Sequence, residues 1–334
     1  YQTGESVRIG VKLIDVLPEE QNLWADTYDR PISDVRIMYS EIASTIADKT
    51  HVNLTAEEMT RLTSASQVNP ESYDAYINGK SHLNKLTPEG LKIAQQYFEL
   101  ALELDPENAL AHVGVGMVWG GFYLMGSVPR QEAIPLRYAA LEKALELDNT
   151  LAEAHLQLAV TRAWAEWDWE SAEKAFQQAF RLNPNDWETH AYYSHFLCFM
   201  GRIEEALPHI ELALELDPIN PTCHAFYGDV LLYHRRFDDA IEAANTALDI
   251  EPNHGVALGV LAEALCVKGM HDEQLAIYRK WYADDAELTA ALEDGFEEAG
   301  YKGAFRALAD LMAERYRKPG KSVRAFDTVS YTHL

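Results

Sequence analysis

Ala101-Leu-Glu-Leu-Asp-Pro106 decides the architecture, because the same six letters return at Ala213–Pro218. Weaker copies stand at Ala144–Asn149, Ala179–Pro184 and Ala247–Pro252. With the last residue of each phrase as a ruler, starting from Pro70, the spacings are 36, 43, 35, 34 and 34 residues. A phrase that recurs near a constant 34-residue period means that one structural unit is repeated. Each period holds two helical patterns. In the fourth copy the first helix is expected over Glu188–Met200, Gly201-Arg202 breaks it, and the second is expected over Ile203–Leu216.

The residue types have physical tasks. Leu-Asp-Pro ends each second helix, because proline pushes the residue before it out of the α region. Two residues later comes a candidate N-cap: Asn108, Asp186 and Asn220, with Asn149 or Thr150 in the remaining copy. Small residues recur where paired helices must approach, Ser194 with Ala206 and Ala213, then Gly228 with Ala240 and Ala247. Tyr193, Leu197, Ile210, Tyr227 and Leu231 are expected to fill the layers between copies. One pair cannot bury its apolar face alone, whereas stacked pairs share a continuous core.

The period, the alternation of small and large residues and the Leu-Asp-Pro ends resemble tetratricopeptide repeats. The resemblance covers about residues 71–282: five copies, then a degenerate sixth in which Gln274 and Trp281 stand where small residues belong. The second copy is irregular, with an enlarged loop expected at Gly120–Arg130 and Pro135 in or near its second helix. The resemblance implies a mainly α fold, a right-handed α-superhelix (α-solenoid) whose first helices line a concave, protein-binding face.

The ends read differently. Val7, Ile9, Val11 and Leu13 alternate with more polar residues as a strand, 18–21 reads as a turn, and Asn22–Tyr28 as a second strand. Ser33 is expected to cap a helix reaching Thr50, with Val35, Met38, Ile42 and Ile46 on one face. Through Leu23–Arg30 this segment, residues 1–60, resembles the closing part of a TolB-type α/β domain. In some bacterial signalling proteins that domain precedes tetratricopeptide arrays, with a DNA-binding, nucleotide cyclase or kinase domain upstream. Tyr1 in place of Met fits a chain whose start lies further upstream. Residues 283–328 are expected to add two helices, Glu287–Ala299 and Gly303–Arg317. Residues 329–334 resemble one reading frame of a transposon-end sequencing adapter and are expected to be non-native.

Composition narrows the function. The 334 residues carry 53 acids against 28 bases, a formal charge of −25. Such a surface repels phosphate backbones, which disfavours direct nucleic-acid binding. The three cysteines, Cys198, Cys223 and Cys266, form no CxxC, so neither a disulfide framework nor a zinc cluster is expected. Ala109–Val128 is uncharged, but His112, Ser127 and four glycines dilute it, and a repeat helix is preferred to a membrane span. A cytoplasmic location is expected. An extracytoplasmic one after an upstream membrane anchor stays open, as does self-association.

Catalytic motifs fail one by one. Gly320-Lys321-Ser322 lacks the upstream glycine of a phosphate loop. There is no HExxH or GxSxG, and His190 and His195 are five residues apart, too far round a helix to share a metal. Glu204-Glu205 and Asp238-Asp239 suit the positive ends of second helices. Trp164, Trp167 and Trp169 could form a cation cage, but packing of an enlarged turn is preferred. No catalytic residue, metal or cofactor is therefore expected.

What remains is the groove. Spacings of three and four on the first helices select Tyr73, Tyr76 and Lys80; Val113 and Met117; Gln157, Val160 and Trp164; Glu188, Tyr192, His195 and Phe199; Asp229 and Tyr233; and Glu263. Family members that clamp a peptide's terminal carboxylate use Lys, Arg and Asn on these helices. Here the central positions include Leu156, Ala191, Ala225 and Gly259, so that clamp is not supported. An aromatic and acidic lining predicts an apolar or basic partner segment, anchored by Tyr192, Phe199 and Tyr233.

Overall fold

The five phrases share one local structure, and it sets the period. In each, the fifth residue leaves the helix: Asp105, Asp148, Asn183 and Glu251 are extended, and Asp217 takes φ −142° and ψ 82°. Its amide hydrogen-bonds the carbonyl of the phrase's first alanine, at Ala101, Ala144, Ala179, Ala213 and Ala247. All five alanines have no solvent exposure.

The structure is a computed structural model that describes residues 2–3, 6–15, 21–31, 34–50, 52, 55, 59, 69–84 and 87–317. The strands are β1 (Gln2–Thr3), β2 (Ser6–Asp15) and β3 (Gln21–Pro31). The helices are α1 (Val35–Lys49), α2 (Pro70–Leu83), α3 (Pro88–Leu104), α4 (Ala109–Leu124), α5 (Arg130–Leu147), α6 (Ala152–Thr161), α7 (Trp169–Leu182), α8 (Trp187–Phe199), α9 (Ile203–Leu216), α10 (Pro221–Tyr233), α11 (Phe237–Ile250), α12 (Gly255–Val267), α13 (His271–Trp281) and α14 (Ala286–Arg317). They form two compact units, residues 1–115 and 116–334.

In the first unit β1, β2 and β3 make an antiparallel sheet in that order, with Val7 opposite Arg30 and Leu13 opposite Trp24. Val35, Met38, Ile42 and Ile46 of α1 pack on Val7, Ile9, Val11 and Tyr28, the face expected from the sequence. Ser33 and residues 18–20 lie outside the described residues, and Asp34 occupies the N-cap without a side-chain bond. A small sheet with one helix is what this segment shows. In α2 and α3, Asn69 and Thr87 cap the helices through the Ser72 and Gly90 amides. Phe98 is fully buried between the backbones of Gly79 and Gly114.

The second unit stacks the remaining pairs. Asp186 and Asn220 cap α8 and α10 as expected. In the third copy neither Asn149 nor Thr150 caps. Leu151 takes the N-cap position, while Thr150 turns its amide and hydroxyl onto Asp148. Gly228 packs against Ala240, as the small-residue pattern requires. Gly201 (φ 72°) and Gly269 (φ 73°) close their turns in the left-handed region, and Arg235 (φ 60°) takes the equivalent place between α10 and α11.

The second copy departs from expectation. The second copy is longer chiefly because its helices are longer. α4 has 16 residues and α5 has 18, against 13 and 14 in the fourth copy, so the helix runs through Gly120-Gly121 and the loop shrinks to 125–129. Glycine's weak helix propensity is overridden by packing, since Gly116 and Gly120 sit against Leu141 and Arg137 of α5. Pro135 lies inside α5. The sixth copy packs on the helices that follow it. Gln274 is buried and accepts a hydrogen bond from the Tyr301 hydroxyl, and Leu275, Tyr278 and Tyr282 share a core with Leu292, Phe305 and Leu308. The C-terminal α14 is two helices joined at Ala299-Gly300, where the backbone leaves helical geometry. Residues 318–334, with the Gly320–Ser322 stretch and the six-residue tail, lie outside the described residues.

Candidate functional site

A π-turn at Arg162–Glu166 prolongs α6 and aims Trp164 at the next first helix. Its ring stacks on His195 at 5.5 Å and 16°, and meets Tyr192 and Phe199 edge-on at 6.1 and 6.5 Å. His195 in turn lies flat on Phe226 at 4.7 Å and 3°. Its Nδ1 donates to Asp229 Oδ2 at 2.7 Å. Trp164, His195 and Phe226 are thus a three-ring stack running through three consecutive first helices, locked by one carboxylate. The second unit brings Trp164, Tyr192, His195, Phe199 and Asp229 into one cluster.

Beyond the stack the surface opens. Phe199 is 39% exposed and Tyr233, one period later, is 41% exposed. Val267, a further 34 residues on, is also exposed. These three close successive first helices and make an apolar row. Burial, then the nearby Asp229, raises the Tyr233 hydroxyl pKa, so the phenol stays protonated. Glu263 is exposed and Glu188 half-buried on the same set of helices.

Other selected residues are placed differently. Tyr192 is half-buried, its ring held edge-on between Trp164 and Phe226, which weakens it as an anchor. Gln157 is buried and engaged by Arg137, because α6 turns this side chain toward α5. In the first unit Tyr76 is buried against Phe98, Tyr73 packs on the α1 core and Val113 is buried. Lys80 and, in the second unit, Met117 are half-buried. Spacing selects a helix face, but neighbouring helices decide how much of it stays open. The tryptophan cage is not assembled either. Trp167 and Trp169 pair at 5.4 Å, Trp169 leans on Phe196, and Trp164 belongs to the stack.

The histidines have structural partners. His112, His155, His190 and His224 each place Nε2 within 2.9–3.3 Å of the carbonyl six residues earlier, at Pro106, Asn149, Pro184 and Pro218. Each first helix is thereby tied back to the phrase before it. His190 Nδ1 also meets His209 Nδ1 at 2.8 Å. With the His190 proton on Nε2, its Nδ1 accepts and His209 donates. Among the described residues no His, Cys, Asp and Glu group could hold a metal.

Two of these rings make stability depend on pH. His254 is 6% exposed, its Nδ1 accepts from the Ala257 amide as the α12 cap, and burial pushes its pKa down to about 4. Burial, then His190, pushes His209 to about 4 as well. Both are neutral when folded and charge more readily when unfolded, so stability is full above about pH 6.5 and falls as pH drops toward 4. At pH 5 the expected loss is about 2 kcal/mol from His254 and less from the part-exposed His209. Urea midpoints at pH 7 and pH 5 check this. His254→Asn, which keeps a cap, should roughly halve the fall, and an unchanged fall would contradict the assignment.

Comparisons place this architecture. A tetratricopeptide repeat family model matches residues 197–254 and 228–289. A curated protein of Rhizobium meliloti (strain 1021), named "Putative adenylate cyclase 3", is 28% identical over 166 residues, which is 49% of this chain. The chain's match spans 28% of that protein's length. Among solved structures, a human IFIT1 dimer with m7Gppp-AAAA superposes with a TM-score of 0.61 over 89% of this chain and 70% of that one, at 18% identity. The Cut9–Hcn1 hetero-tetramer of the APC/C superposes with a TM-score of 0.54 over 89% and 52%, at 15% identity. At these identities the likeness is one of fold, a mainly α helical solenoid. Among the described residues no helix is long and apolar enough to cross a membrane. Residues 197–289 thus match the tetratricopeptide repeat family, within a helical solenoid.

Proposed function

We propose that this chain is a protein-interaction scaffold whose first helices in residues 116–334 bind a segment of a partner protein. The observation that carries this is the open apolar row of Phe199, Tyr233 and Val267 beside the rigid Trp164–His195–Phe226 stack. A preformed aromatic platform orders little on binding, so its burial is not offset by side-chain entropy. Asp229 and Glu263 flank the row, and the whole chain carries −25, which favours an apolar or basic segment and disfavours nucleic acid. The IFIT1 structure holds m7Gppp-AAAA, but the acidity of this chain argues against the same ligand here.

The regulatory arm of a bacterial signalling or transcription-regulatory protein is the context we favour, with residues 1–60 as the end of a TolB-like α/β domain. A second reading has its own support: the relative named as an adenylate cyclase is far longer than its matched part. On that reading the chain belongs to a cyclase, or a kinase, whose catalytic domain lies upstream, and this part does no chemistry. The gene sequence upstream of Tyr1 separates the two contexts.

The test of the scaffold uses peptides selected by phage display on the immobilised chain. Selected peptides should be enriched in apolar and basic residues. Their affinity should fall by about tenfold or more for Phe199→Ala with Tyr233→Ala, since aromatic anchors dominate such interfaces. Undiminished affinity for that double variant would rule out this surface.

A further inference from the structure

Counting back twelve residues from each phrase end reaches Ala94, Ala172, Ala206 and Ala240, none of them exposed to solvent. In the second copy the same count reaches Arg137. A position that takes one methyl group in four copies takes a guanidinium in the fifth, and that residue is only 7% exposed. Helix α4 makes the room with a glycine: a β-carbon on Gly120 would fall 1.6 Å from one terminal nitrogen of Arg137. The other terminal nitrogen donates to Gln157 Oε1 at 2.7 Å and to the Gln157 carbonyl at 3.2 Å. Its Nε is buried and donates to nothing.

The charge has no counter-charge. Among the described residues no carboxylate pairs with Arg137, and its neighbours are a neutral amide, a glycine backbone and the phenols of Tyr192 and Tyr138. Burial pushes its pKa down to about 10, so it stays charged at neutral pH. A buried cation held by neutral acceptors alone is costly, and a repeat that folds with alanine here has no structural need of it. The guanidinium reaches α4 and α6, the first helices of two successive copies, and Gln157 Oε1 already sits where a carboxylate oxygen would sit. Exchanging that neutral oxygen for a charged one strengthens the hydrogen bond and pairs the fork that arginine presents.

We propose that Arg137 is an anion receptor in the groove, taking a carboxylate of the bound segment, from an acidic side chain or from its chain end, by displacing the Gln157 amide. The proposal deepens the scaffold reading and rests on it. It places one acidic group on a segment that is otherwise apolar or basic. It differs from a terminal-carboxylate clamp built on first helices, because the cation comes from a second helix.

The test measures the melting temperature and tryptophan fluorescence of the whole chain, at constant ionic strength. The probes are N-acetylglutamic acid amide, its uncharged isostere N-acetylglutamine amide, and N-acetylleucine as a chain end. Wild type should respond to the acids and not to the glutamine compound. The stronger acid shows whether side chain or chain end is the source. Arg137→Met should fold, since the position takes apolar residues elsewhere, and should lose the response. Gln157→Glu keeps every neighbour and supplies an internal carboxylate, so it should melt higher than wild type and also lose the response. That variant decides the matter if Arg137→Met fails to fold. Equal responses in wild type and Gln157→Glu, or no wild-type response to either acid, would overturn the proposal. Phe199→Ala with Tyr233→Ala should leave the carboxylate response intact, which separates failure of the apolar row from failure of Arg137.

Discussion

Phe98→Ala should remove about 3–5 kcal/mol of stability. Its ring is fully buried in α3 and pressed against main chain on two sides. A β-carbon on Gly79 would lie 2.6 Å from the ring, and one on Gly114 would lie 2.5 Å from it. Tyr76 closes a third side at 5.9 Å. The cost of a cavity depends on how far the walls relax into it, and here two walls are helix backbones that cannot rotate inward as side chains do. The void should persist, which puts this substitution at the upper end of the usual range. Leu100→Ala, two residues along the same helix and 42% exposed, should cost less than about 1 kcal/mol. Urea unfolding of the two variants, with amide exchange across residues 70–104, makes the comparison. Similar losses for both would show that Phe98 is not the keystone of this pair.

The glycines that hold Phe98 show what could be read from the letters. Period, helix count and register follow from the phrase, because a proline and a buried alanine act locally and act alike in every copy. The fourth copy's helices were legible to within a residue for that reason. The second copy misled because Gly120 and Gly121 look like a loop by propensity, while their worth lies in what approaches them. Arg137 is 17 residues from Gly120, on another helix, and nothing local announces the meeting. Gln274 misled in the same way: its polarity reads as a defect until Tyr301 is seen to donate to it.

The candidate site was legible only as a face. Helical spacing named Trp164, Tyr192, His195, Phe199 and Asp229, and these do meet. It could not show that the π-turn carries Trp164 onto His195, since an extra residue in a helical turn leaves no compositional mark. It also could not tell Tyr76, which is covered, from Tyr233, which is open. Two signals were present and were missed. The histidines at 112, 155, 190 and 224 each follow a phrase end by six residues and so recur at the spacings of the phrase. Arg137 breaks an otherwise uniform column of alanines. Reading the copies against one another by position finds both, whereas reading each helix by itself finds neither.

Gly303→Ala brings two physical effects into opposition, and packing should win. Alanine is the better helix former by about 1 kcal/mol, and residue 303 lies in the second helix of α14. Yet a β-carbon there would sit 2.0 Å from the Gly295 carbonyl oxygen on the facing helix, and one on Gly295 would sit 2.5 Å from the Gly303 oxygen. Neither atom can be moved by a rotamer change, so the two helices must part. Overpacking of this kind costs about 1–3 kcal/mol, and more when the obstacle is main chain. Parting also exposes Leu292, Phe305, Leu308 and Met312 to water at about 25 cal/mol per Å² of apolar area. The salt bridge of Arg315 to Asp285 and Glu287 spans the same two helices and would resist the separation at their far ends, which confines the damage to the crossing rather than removing it. A net loss of about 2–4 kcal/mol is expected, visible as faster proteolysis within residues 286–317 and a change in the emission of Trp281, which packs on this core. Gly255→Ala serves as the control, because nothing lies within 4 Å of a β-carbon there and only the helix propensity changes. It should be neutral or slightly stabilising. A stabilised Gly303→Ala would mean that the two helices do not cross this closely. Since α12 and α13 contribute Ala262, Leu275 and Tyr278 to the same core, the loss of this pair should also loosen the sixth copy that it covers.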